Sequence, residues 1–235
     1  MKAPTKINWP KALGIGITVL LSGGFMLYLR FSGITLFDLP HEISYQLLTL
    51  ALTGIVVLIS RLLAGHESLQ YLKPASLDGP ITPVRWLGIN PKPGVTWVKL
   101  GINFLIVITF VTAVVIYFQV FRRQEVNFSV TGVLLPAIGF AVINALAEEG
   151  IFRFSIVSVF LSAGVPAGTA AITSGVIFGG LHYFGTPGGI PGVLMAGFIG
   201  WFLAKSIIET RSFAWAWIIH AAQDVVIFTA LFATT

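Results

Sequence analysis

Cysteine is absent from the 235-residue chain, which excludes disulfides and any thiolate nucleophile or ligand. Charge is almost as scarce. Only 10% of the residues are Asp, Glu, Lys or Arg, where a soluble globular domain carries about a quarter. The short alternation of apolar and polar residues that builds a transmembrane barrel is missing too, so that architecture is excluded. What the chain has is hydrocarbon: 56% hydrophobic residues and a mean hydropathy of +0.91, in long unbroken runs. The fold class this predicts is all-α, a polytopic transmembrane helical bundle among membrane lipids. The net charge of +5 comes from basic residues scattered over loops with no basic face, so no nucleic-acid partner is expected.

Seven spans are expected, at about 12–29, 45–64, 98–121, 132–161, 166–184, 192–208 and 213–233. An eighth arises if the polar loop 66–97 dips into the bilayer. Lys2, Lys6 and Lys11 precede the first run as in a signal peptide, but Leu29-Arg30-Phe31 is no small-residue cleavage site, so the run reads as a retained span. Five prolines break the 66–97 loop. Within it Arg85-Trp86-Leu87-Gly88 and Trp97 read as interfacial, as do Trp215 and Trp217 at the start of the last span. The fourth span, about 30 residues or roughly 45 Å of helix, is too long to stand upright. Tilt, a kink at Pro136 or a break near Gly150 would reconcile it. Gly175-xxx-Gly179 in the fifth allows close approach of another helix.

Two regions follow: residues 1–130, with three spans and the interfacial loop, and residues 131–235, which carry the polar motifs. Ten lysines and arginines fall on the N-terminal side of the bundle, against Arg30, Arg122 and Arg123 on the other. That bias predicts a cytoplasmic N-terminus in a bacterial-type inner membrane.

Against this apolar background Ala147-Glu148-Glu149-Gly150-Ile151-Phe152-Arg153 stands out. Residues 131–147 carry no formal charge, and none appears from Phe154 to His182. Three unpaired charges in hydrocarbon would cost roughly 8–10 kcal/mol on insertion scales, which makes the stretch a functional-site candidate. Glu149 and Arg153 are four apart, acid first, the better order for a structural ion pair. Glu148 lies about 100° round the helix and needs a partner from elsewhere. His182, which shares a face with Phe178, and the i,i+4 pair His220 and Asp224 can supply one. Counted along their helices, Glu148 and His182 lie roughly 22 and 28 Å from the N-terminal side, and His220 and Asp224 roughly 14 and 20 Å, so all four can share a layer.

A buried carboxylate beside imidazoles, without cysteine, points to activation of water. Glu148 is the candidate general base, with His182 holding the water. His220 and Asp224 can bind a carbonyl and its developing oxyanion, or His220 can be a metal ligand. Glu148, His182 and His220 also form a permissible donor set for a divalent metal such as zinc. Neither His41-Glu42 nor His66-Glu67 extends to the H-E-x-x-H motif, since the fifth positions are Tyr45 and Gln70.

Glu148-Glu149-xxx-Arg153, Phe178-xxx-His182 and His220-xxx-Asp224, in this order on apolar helices, resemble the CAAX prenyl protease type II family. It is also called the CPBP or Abi family of intramembrane proteases and bacteriocin-immunity proteins. The resemblance covers about 132–228. It implies an intramembrane endopeptidase acting on a peptide or protein in or at the membrane. It also implies Glu148 as catalytic base, Glu149 paired with Arg153, and His182, His220 and Asp224 lining the water and oxyanion site, with Phe178 in support. Family members are described as metalloproteases, and the eukaryotic enzymes usually have Asn where this chain has Asp224. Two other classes compete: a non-catalytic immunity or scaffold protein of the same fold, and a proton-coupled transporter. The transporter reading lacks an inverted repeat, because no polar counterpart occurs in the first three spans.

Overall fold

The structure is a computed structural model, described for residues 6–74 and 76–234; Lys2 of the charge count above lies outside these. Among the described residues seven helices make up the bundle: α1 (Trp9–Ser32), α2 (His41–Ala64), α3 (Trp97–Gln119), α4 (Val130–Ser162), α5 (Ala167–Leu181), α6 (Gly189–Thr210) and α7 (Ala214–Ala233). Six are long and apolar enough to cross a membrane, and the protein is a multi-pass integral membrane protein. Large apolar side chains such as Leu21, Phe110 and Val176 stand exposed on the outside, the inverse of a soluble surface.

One expected span differs. The fifth is only a 15-residue helix, α5, continued by a 3-10 turn over His182–Phe184. It still connects opposite ends of the bundle. The Asn8 amide donates to Ala163 O just before it, and Arg30 reaches the Thr186 hydroxyl just after it. Pro166 starts the helix, and the Gly185-Thr186-Pro187 turn ends it early.

The long fourth span is one helix of 33 residues, interrupted by two wide turns. At Val130–Leu134 and Gly150–Phe154 the hydrogen bonds run i→i+5: Leu135 N–H to Val130 O, and Ser155 N–H to Gly150 O. A wide turn inserts a residue without breaking the rod, and such turns are frequent at functional sites. Gly150 is thus an irregular point, but the helix passes through it. The length has a further reason. Every residue from Ala147 to Phe160 is buried, so this half of α4 is the axle of the bundle, walled by α1, α2, α5 and α6. The charged stretch therefore lies in protein, not against acyl chains, which corrects the hydrocarbon surroundings expected from sequence.

Close packing fixes the axle. A Cβ on Gly150 would stand 2.6 Å from Thr53 Cγ2, and the Thr53 hydroxyl donates to Ala147 O at 3.1 Å. Between α5 and α6, a Cβ on Gly175 or on Gly179 would fall 2.7 Å from the carbonyl of Gly197 or Val193. The small-residue motif is thus a contact face, as small-xxx-small spacing requires.

The loop between α2 and α3 is tied down. Trp97 is fully buried and its indole N–H donates to Glu209 Oε2 at 2.9 Å; the Thr82 amide donates to Glu209 Oε1 at 3.1 Å. Lys205 pairs with Glu209 and donates to Thr82 O at 2.8 Å. Trp215, also buried, donates to Leu77 O at 2.7 Å. Trp97 and Trp215 are internal struts, where sequence had them as interface anchors, because each ring is buried and its indole N–H finds an acceptor within the protein. Trp86 does stand exposed.

Candidate active site

The site is built where α4, α5 and α7 meet. Glu148 and Glu149 end the regular part of α4 just before the wide turn, and Arg153 lies within that turn. Arg153 Nη1 stands 3.3 Å from Glu149 Oε1, and both side chains are fully buried. The guanidinium makes no aligned hydrogen bond. Its Cζ lies 3.5 Å from the centre of the Phe178 ring, so a cation–π contact completes its environment. Phe178 is the hub: the His182 ring centre is 4.1 Å from its own and the His220 ring meets it edge-on at 5.7 Å.

Glu149 does more than pair with Arg153. Its Oε1 is 2.6 Å from His220 Nδ1, the shortest side-chain contact in the cluster. A carboxylate oxygen only accepts, so Nδ1 carries the proton, and the tautomer and ring orientation of His220 are set by Glu149. Sequence pairs Glu149 with Arg153 alone and His220 with Asp224. In the structure His220 Nε2 is 3.6 Å from Asp224 Oδ1 and equally 3.6 Å from Glu148 Oε2, beyond hydrogen-bond reach of either. Rotation of α7 against α4 decides this, and helical spacing within α7 does not report it.

Asn144 is the residue that sequence reading missed. Its Nδ2 donates to Glu148 Oε1 at 3.2 Å and to Asp224 Oδ2 at 2.9 Å. A neutral amide thus holds two carboxylates side by side and leaves Glu148 Oε2 buried without a hydrogen bond. Asn144 stands four residues before Glu148 in an apolar run, a spacing that marks it as a same-face partner. His182 is half-buried, and its Nδ1 donates to Phe178 O at 2.9 Å, so its Nε2 is left as an acceptor.

Glu148, His182, His220 and Asp224 all line one cavity of about 310 Å³. Its walls also take in Tyr45 and Gln46 of α2 and Thr112 of α3, and at one end it reaches Arg30, His41 and Thr186. The 1–130 region therefore contributes to the pocket, through polar residues that no motif singled out. Among the described residues no three His, Asp or Glu side chains are placed to hold one metal ion. Each histidine commits Nδ1, to Glu149 and to Phe178 O, an arrangement that leaves Nε2 for a water or a metal, and Glu148 commits Oε1 to Asn144 while Oε2 stays free. It is their spacing, and not those hydrogen bonds, that leaves Glu148, His182 and His220 ungrouped as a single ligand set.

Residues 130–226 match the family model described as Type II CAAX prenyl endopeptidase Rce1-like. Comparison with curated proteins and with solved structures returns no match. The matched stretch contains Asn144, Glu148, Glu149, Arg153, Phe178, His182, His220 and Asp224, and leaves out Tyr45, Gln46 and Thr112.

Proposed function

We propose, from the match of residues 130–226 to the type II CAAX prenyl endopeptidase family model, that the chain is a peptidase of that kind and hydrolyses a peptide bond inside the cavity with Glu148 as general base. The observation that carries the reading is Glu148 Oε2: buried, without a hydrogen bond, and 3.6 Å from a histidine nitrogen. An oxygen with no hydrogen bond of its own keeps its lone pairs for the proton of a water. Water, the co-substrate, gives a proton to Glu148 while its oxygen attacks the substrate carbonyl. His220, with both ring nitrogens protonated, donates Nε2–H to the developing oxyanion, and Glu149 keeps the ring in place. The C–N bond then breaks, and the proton on Glu148 passes to the departing amine. Asn144 holds Glu148 in position, Asp224 flanks the imidazole and His182 Nε2 steadies the water. Residues 131–235 carry this chemistry, and residues 1–130 wall the pocket.

The substrate in this reading is a peptide segment in or at the edge of the membrane, with no requirement for a prenyl group. Reconstituted into liposomes, the protein is expected to cut members of a quenched-fluorescent peptide library. A folded preparation that cuts none would remove the reading.

Orientation follows the lysine and arginine bias, with the N-terminus in the cytoplasm and the protein in a bacterial-type inner membrane. The cavity then reaches towards the opposite face, since Arg30 and Thr186 lie at the far end of the bundle from Asn8. The cysteine-free chain makes this testable. Gln124→Cys, in the exposed loop at that end, should react in intact cells with a membrane-impermeant maleimide, and Lys92→Cys at the other end should not. The reverse pattern would invert the topology.

A further inference from the structure

Besides Glu148, three residues of the cavity wall carry a buried side-chain oxygen with no hydrogen-bond partner among the described residues: Gln46 Oε1 on α2, Thr112 Oγ1 on α3 and Gln223 Oε1 on α7. The three residues are only 6%, 2% and 3% exposed, so bulk water does not serve them. The Gln223 amide cannot be flipped. Its Nε2 donates to Ile219 O and to the Thr109 hydroxyl, each at 3.0 Å, and a carbonyl only accepts, so the other end of the amide is an oxygen. Thr112, like Thr229 off the cavity, departs from its kind in this bundle. Thr18, Thr49, Thr53 and Ser60 each donate to the carbonyl four residues back, as hydroxyls in apolar helices do, and Thr112 does not. Unmet acceptors in a dry interior are costly, and no element of the fold uses these three.

A substrate entering this cavity has the complementary problem. A peptide bond inside a helix is shielded by side chains and its carbonyl is engaged, so the segment must unwind before water can attack it. Unwinding frees main-chain N–H donors at a depth where lipid offers them no partner. We infer that Gln46, Thr112 and Gln223 form a backbone-recognition subsite, accepting hydrogen bonds from main-chain N–H groups of an extended substrate segment beside the scissile bond. The inference rests on the peptidase reading and extends it from chemistry to substrate conformation. Recognition through N–H is indifferent to side-chain identity, so tolerance of sequence is expected at those positions. Proline, which has no N–H, is excluded from them.

The test deletes one donor and one acceptor at a time. Take the library peptide that the wild type cuts best, and replace each main-chain amide other than the scissile one by an ester. Against wild type, esters at one or more positions should raise KM about five- to tenfold with kcat little changed, the loss of one hydrogen bond. Thr112→Val and Gln46→Met each remove one acceptor at nearly constant shape. In each variant the penalty at the matching position should vanish while those at other positions persist. Equal ester penalties in wild type and both variants, or no ester sensitivity anywhere, overturn the subsite. Because the two substitutions sit on different helices, misfolding of one leaves the other to decide. If a folded wild type cuts no peptide, the peptidase reading and the subsite fall together; cleavage with unchanged ester penalties removes the subsite alone.

Discussion

Glu148→Gln is expected to leave the protein folded and to lower cleavage of a library peptide by about 10²–10⁴-fold, the range general-base catalysis supplies. The substitution is close to isosteric. A glutamine carbonyl oxygen still accepts from Asn144, as Glu148 Oε1 does at 3.2 Å, so the link to Asp224 survives. What disappears is the basic oxygen opposite His220 Nε2. An unchanged melting temperature together with lost cleavage distinguishes this from unfolding. Cleavage at the wild-type rate would sink the assignment of Glu148 as base, and with it the mechanism proposed.

Arg153→Ala should act in the opposite way, on stability first. Arg153 and Glu149 are both fully buried, and removing the arginine leaves His220 as the one neighbour to offset the Glu149 charge in the axle of the bundle. Breaking such a pair costs about 3–5 kcal/mol, which for a chain of this size lowers the melting temperature by roughly 6–20 °C. Loss of the guanidinium also opens a gap over the Phe178 ring, which it covers at 3.5 Å. Arg153→Lys should fall between, since it keeps a charge but not the planar stack. Glu149→Gln combined with Arg153→Met should recover much of the stability while staying poorly active, because His220 then lacks the carboxylate 2.6 Å from Nδ1. A melting temperature within a degree or so of wild type for Arg153→Ala would show that the pair holds nothing together.

These predictions draw on the sequence and the structure in different measure. The scarcity of charge and the long apolar runs were enough to determine a membrane-spanning helical bundle, since only helices satisfy their own backbone in lipid when barrel alternation is missing. Spacing of four determined that Glu149 meets Arg153, that Phe178 meets His182, and that His220 and Asp224 share a face. All of these are neighbours on one rod. Tertiary structure decided everything that crosses from rod to rod. His220 takes Glu149 as its close partner, Asn144 bridges Glu148 to Asp224, and Trp97 and Trp215 turn inward to acceptors within the protein. It also made α4 the central helix, so that Glu148 faces a protein cavity, and brought Gln46 and Thr112 to the wall of that cavity. The reason is geometric. Helical periodicity reports which residues share a face, but how one face is turned towards another is set by close contacts such as Gly150 on Thr53 and Gly175 on Gly197.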